Sequence, residues 1–131
     1  MPAYDASRYN PPAPVAQVIL RRIDAGAMAT EATMLIDTGA DVTFLPRASV
    51  ERLGVHPLAD LVFELTAFEG SRTTAQAVQA ELIFLGKVFR GAFLLIDQEQ
   101  GVLGRDILSN IALVLDGPRR EWLEHTSPAN R

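Results

Sequence analysis

One tripeptide narrows what this chain can fold into more than any other: Asp37-Thr38-Gly39, which follows the apolar run Met34-Leu35-Ile36 and leads through Ala40-Asp41 into Val42-Thr43-Phe44-Leu45-Pro46. An apolar run that stops on Asp-Thr-Gly sets a carboxylate at the end of a strand, and the glycine allows a close backbone approach that a Cβ would obstruct. Taken alone, the same residues are an ordinary turn between two strands, because Asp and Gly are favoured there for their backbone behaviour. A second segment separates the two readings: Gly101-Val102-Leu103-Gly104-Arg105-Asp106-Ile107-Leu108, roughly a domain's length downstream.

In this order, the two segments resemble those of the retropepsin family, the single-domain aspartic proteases that include the retroviral enzymes. There, an apolar pair followed by Gly-Arg-Asn or Gly-Arg-Asp and a short apolar helix closes the domain behind the active-site loop. The resemblance covers about residues 15 to 124 and is specific in the two segments. It implies a mainly β, retropepsin-like acid protease fold: a closed antiparallel β domain with two short helices, dimerising about a two-fold axis with the active site at the interface. The chemistry needs two carboxylates sharing one proton, since like charges a few ångströms apart do not both ionise comfortably. This chain carries Asp-Thr-Gly once, so the second aspartate must come from another copy. The implied activity is that of an aspartic endopeptidase acting on extended, largely apolar peptide segments, with no metal and no organic cofactor. The implied partners are a second copy of the chain and a peptide or protein substrate.

The resemblance also assigns roles. Asp37 is the catalytic carboxylate, Thr38 reaches across the two-fold axis to the opposite loop, and the Gly39 carbonyl faces the substrate with the backbone at Ala40 and Asp41. Asp41 and Arg105 match a structural ion pair beside the interface; an Arg fork suits a carboxylate. The hairpin around Glu69-Gly70-Ser71 is the flap expected to cover substrate and exclude water, although Gly70 is the only glycine there and retroviral flap tips are richer in it. A plain surface hairpin is its other reading. Val102 matches a pocket-lining position, while an apolar residue before a glycine is as often core. The rival to the enzyme keeps the fold and drops the catalysis, leaving a peptide-binding or scaffolding dimer.

Composition closes off other classes. At 131 residues, with 48% apolar and 21% charged residues, the chain is one globular domain rather than a disordered segment. A net charge of −4 argues against a nucleic-acid module. Arg21-Arg22 and Arg119-Arg120 read as solvated strand edges. No apolar run is long enough to span a bilayer, and the N-terminus lacks the pattern of a secretory signal, so the expected location is cytoplasmic. Cysteine is absent, which excludes disulfides and thiolate chemistry. His56 and His125 lack ligand partners at metal spacing and read as surface residues. Ser49 and Ser109 lack a base, so a serine hydrolase triad has no support either.

Along the chain, residues 1–14 hold four prolines and read as a flexible leader, disordered or loosely docked, 15–124 as the protease domain and 125–131 as a flexible tail. Val15, Gln17 and Ile19 on to Ile23 alternate as a half-buried strand, with a hairpin turn at 24–27 and a strand near 28–36. Residues 46–54 read as a helix with proline in its first turn, glycine past its end, and Val50 and Leu53 on one face. Strands are expected at 61–68, 73–85, 88–96, 112–115 and 120–124, a turn at Gly86-Lys87, and a helical turn or two at 106–111. Trp122 is expected as a packing anchor, with the interface of a dimer as its other expected place, since tryptophan is enriched there.

Overall fold

Period-two alternation turns one face of each long strand inward, and three such strands build the core. The computed structural model describes residues 2–23, 28–58, 62–66 and 69–126. Strand β2 (Ala13–Arg21) buries Ala16, Val18 and Leu20; β3 (Ala29–Ile36) buries Ala32, Met34 and Ile36; β6 (Arg72–Phe84) buries Val78, Ala80, Leu82 and Phe84. The inner face of β2 is thus opposite to Val15, Gln17 and Ile19, with Ile19 41% exposed. Apolar residues stand on both faces of this strand, so alternation alone does not choose the inner one; pairing does.

The remaining strands are β1 (Tyr4–Asp5), β4 (Phe44–Pro46), β5 (Val62–Thr66), β7 (Lys87–Ile96), β8 (Gly101–Leu103), β9 (Leu113–Asp116) and β10 (Glu121–Glu124). The two helices among the described residues, α1 (Arg47–Arg52) and α2 (Arg105–Leu108), are short; Val50 of α1 and Leu53 just past its end pack into the core. Among the described residues, eight strands form one sheet in the order β1-β2-β3-β8-β4-β7-β6-β5, and a further pairing of β2 with β6 curls it back on itself. Most pairings are antiparallel, but β3 with β8 and β4 with β7 run parallel. Those two parallel pairs meet where Asp37 leaves β3. The hairpin turn between β6 and β7 lies on Leu85-Gly86, both at positive φ, one residue earlier than the sequence pattern places it. The turn expected at 24–27, the ends of the strand expected at 61–68, and most of the 125–131 tail lie outside the described residues.

Of the two readings of the N-terminal segment the structure has the docked one: from Pro2 on, Tyr4 and Asp5 pair with Pro14 and Ala13, the Tyr4 N–H donates to the Arg120 carbonyl at 2.8 Å, and the Trp122 N–H donates to the Pro2 carbonyl at 3.0 Å. Its prolines fit because an edge segment needs few ladder donors. Arg21 is not on an edge. It stands in register with Glu81, which stands in register with Arg90, and the two guanidiniums grip opposite oxygens of the 6%-exposed Glu81 carboxylate. A carboxylate taken out of water is tolerated when paired and hydrogen-bonded, and here two strands supply the pairing.

Ser49 is buried within α1, its hydroxyl accepting from Arg52 Nη2 at 3.1 Å. Trp122 is a packing anchor within the chain: its indole N–H donates to the Val15 carbonyl at 2.7 Å and its ring lies 5.8 Å from that of Phe84. This seats the β9–β10 hairpin on the sheet.

Candidate active site

The loop that leaves β3 is fastened to β8 and α2 from residue to residue. The Asp37 N–H donates to the Leu103 carbonyl at 3.1 Å, the Arg105 N–H to the Ala40 carbonyl at 2.9 Å, and the Ala40 N–H back to the Asp37 carbonyl at 3.2 Å. The Gly39 N–H donates to Asp37 Oδ1 at 2.9 Å, which orients the half-buried carboxylate. Arg105 Nη1 donates to the Thr38 carbonyl at 2.7 Å while Nη2 pairs with Asp41. With Asp41 82% exposed, that ion pair adds little stability; what it contributes is geometry, since one planar guanidinium holds both ends of the loop.

Beneath the loop lies a polar contact that the sequence pattern does not announce. Thr43 is fully buried; its N–H and hydroxyl donate to the two oxygens of Asp106 at 3.1 and 2.6 Å, and its hydroxyl accepts from the Gly104 N–H at 3.0 Å. Gly104 is required by proximity: a Cβ there would lie 2.4 Å from the Val42 carbonyl oxygen. The stretch Gly104-Arg105-Asp106 therefore acts as a buckle, with backbone against Val42, Arg105 on the loop and Asp106 on Thr43. Thr43 and Asp106 are 63 residues apart, so no local signal joins them.

A cleft of about 550 Å³ opens beside the loop, lined by Gly39, Ala40, Asp41, Val42 and Phe44 on one side and by Phe63, Glu64, Leu65 and Thr66 of β5 on the other, with Leu94 of β7 at its end. Its walls are largely apolar, with Asp41 and Glu64 the acidic residues among them. Of the residues singled out in the sequence, Gly39, Ala40 and Asp41 line it. Glu69, Gly70 and Ser71 do not; they are exposed at the far end of the β5–β6 hairpin, where the Ser71 hydroxyl donates to Glu69 Oε1 at 2.6 Å and Gly70 sits at φ +93°. The part of the hairpin that faces the loop is instead Phe63–Thr66. Val102 is half-buried and directly opposite Phe44, which is itself opposite Leu94, so Val102 continues the face from which two cleft walls rise.

His56 and His125 are exposed, and among the described residues no group of three or more His, Asp or Glu could hold a metal ion. Among the described residues no helix is long and apolar enough to cross a membrane.

A family model described as gag-polyprotein putative aspartyl protease matches residues 23–110, from just past β2 to just past α2. Among solved structures, the EIAV protease complexed with the inhibitor HBY-793 superposes with a TM-score of 0.57 at 22% identity, covering 75% of this chain and 86% of that one. At that identity the likeness speaks for the fold. No curated protein matches.

Proposed function

Since this chain belongs to the gag-polyprotein putative aspartyl protease family, we propose that it is an aspartic endopeptidase whose active site forms from the Asp37 carboxylates of two copies. The observation that carries the proposal is the fastened loop: Asp37 oriented by the Gly39 N–H, with Arg105 and Thr43–Asp106 holding it from behind. A binding module has no use for an oriented carboxylate whose meeting with its twin is costly unless one proton is shared.

In this reading the unprotonated Asp37 takes a proton from water as the water attacks the scissile carbonyl, while the protonated Asp37 of the other copy donates to the carbonyl oxygen. The two then exchange roles as the amine leaves. The titration belongs to the pair. Substrate lies extended between the loop and the β5–β6 hairpin, and alternate side chains enter the clefts. The walls Phe44, Phe63, Leu65 and Leu94 favour apolar side chains there. Glu69, Gly70 and Ser71 form the tip of the flap, and Val102 extends the cleft wall. Thr38, exposed at the loop's outer edge, supports the opposite copy.

The test is cleavage of an unbiased peptide library, read by mass spectrometry from about pH 4 to 7, by the parent and by Asp37→Asn. Cleavage by the parent and none by the mutant supports the protease. No cleavage by either, from folded and dimeric protein, points to the peptide-binding dimer, and equal cleavage by both rules Asp37 out.

A further inference from the structure

The four residues 97–100 join β7, whose Leu94 lines the cleft, to β8, whose Leu103 carbonyl holds the Asp37 N–H. Asp97, Gln98 and Glu99 are exposed, so packing does not fix this connection. Side-chain bonds from two directions do. Arg47 of α1 donates to Asp97 at 2.5 Å from one side. From the other comes the N-terminal segment, which lies outside the residues matched by the family model. Both polar atoms of the Gln100 amide are taken by it: the Tyr9 hydroxyl donates to Oε1 at 2.7 Å, and Nε2 donates to Asp5 Oδ2 at 3.1 Å.

We propose that Asp5, Tyr9 and Gln100 form a clamp through which the N-terminal segment positions the 97–100 connection and, through β8, the loop that carries Asp37. Asp5 is itself preorganised: its Oδ1 accepts from the Ser7 N–H at 2.9 Å, the Ser7 hydroxyl at 2.8 Å and the Arg8 N–H at 3.1 Å. These bonds, that of the Arg8 N–H foremost, hold its carboxyl down at about 2, so it stays an acceptor across the range in which a shared-proton dyad works. The segment is anchored beyond the clamp by the pairing of Tyr4 and Asp5 with β2 and by the bonds from Tyr4 to Arg120 and from Trp122 to Pro2. Transmission is short. Gln100 is three residues from Leu103, about 10 Å along a strand, and the intervening Gly101 has no room to shift sideways: a Cβ on it would lie 2.4 Å from the Phe44 carbonyl oxygen and 2.6 Å from the Met34 sulfur. A displaced Gln100 therefore moves β8 lengthwise against β3 and β4. As a statement about catalysis the proposal rests on the protease reading; as a statement about structure it does not.

The test uses a swap. Gln100→Glu sets a carboxylate against Asp5, and Asp5→Asn in the same chain restores a donor and acceptor with their direction reversed, since the introduced amide keeps an oxygen for the bonds from Ser7 and Arg8. Two readouts are taken: steady-state cleavage of a peptide cut by the parent, and hydrogen exchange of the amides at 101–107. The clamp predicts that Gln100→Glu lowers kcat/KM by about tenfold, mainly through kcat, because a small misplacement of the catalytic carboxylate is felt strongly in the chemical step. It also predicts faster exchange at 101–107, and a return of both readouts to within about twofold of the parent in the double variant. Unchanged exchange in Gln100→Glu, or a loss that the swap does not restore, overturns the clamp. A parent that cuts nothing, or that cuts equally well as Asp37→Asn, sinks the protease reading, and the exchange data still decide the clamp.

Discussion

The stretch from Asp37 to Thr43 is bonded to β8 and α2 at Asp37, Thr38, Ala40, Asp41 and Thr43, whereas the outer half of the hairpin above it, residues 62–66 and 72–76, rests mainly on its own strand ladder and an exposed Glu64–Arg72 pair, with a bond from Arg47 of α1 to Gln76 at its base. Strand β6 contains the boundary within itself. Its inner half is buried and pinned by Glu81 between two arginines, and its outer half is almost wholly exposed. Under the proposed function the contrast has a use: a carboxylate that is to meet its twin at a set distance needs a fixed floor, and a hairpin that is to admit and cover a chain needs few buried contacts and a low cost of opening.

The largest effect should follow from unfastening the floor. Gly104→Ala forces a Cβ against the Val42 backbone and should destabilise the fold by about 3 kcal/mol in urea denaturation, the scale of overpacking at a site that does not yield. Thr43→Val keeps the shape and strands the Gly104 N–H and an Asp106 oxygen; about 2 kcal/mol is expected from the same measurement. If either change proves neutral, the floor is not rigid in the sense described.

A smaller and pH-dependent effect tests the middle of β6. The Arg90 hydrogen bond, followed by that of Arg21, holds the Glu81 carboxyl below its ordinary 4.5. A depressed folded-state carboxyl stabilises the protein above its unfolded value and loses that contribution as pH falls through its folded one. Stability should therefore decline below about pH 4.5, and Glu81→Gln should flatten that decline in thermal melts from about pH 2.5 to 5. An unchanged acid limb would show that Glu81 is not linked to folding. Both arginines reach water, with side chains 34% and 64% exposed, so removing their partner costs less than unfastening the floor. Smallest of all, Arg72→Ala on the outer hairpin, where the paired side chains are 73% and 60% exposed, should change stability by no more than about 0.5 kcal/mol. A larger loss would mean that the hairpin is built as firmly as the floor.

The same contrast governs what the sequence made readable. Strands of eight residues or more declare themselves by alternation, and α1 by its flanking proline and glycine, so the mainly β fold and its family resemblance were accessible from residues alone. Strands β4 and β8 are three residues each, too short for any period, and are strands only because neighbours pair with them. Thr43 with Asp106, and Tyr9 with Gln100, join residues 63 and 91 positions apart through side-chain hydrogen bonds, which leave no pattern in either segment. Prolines at 11, 12 and 14 signalled looseness in the N-terminal segment, but anchors at Tyr4, Asp5 and Tyr9 outweigh them. The hairpin was legible as a hairpin; that Phe63 to Thr66 rather than the tip face the loop depends on how β5 curls over it.

The central claim is that one active site takes an Asp37 from each of two copies. It is tested most directly by unfolding parent and Asp37→Asn chains together, refolding them as mixtures, and measuring cleavage against the parent fraction. Random pairing into two-fold dimers predicts activity falling as the square of that fraction, to about a quarter in an equal mixture. Activity that falls in simple proportion, to about half, would contradict it and place a complete site within each chain.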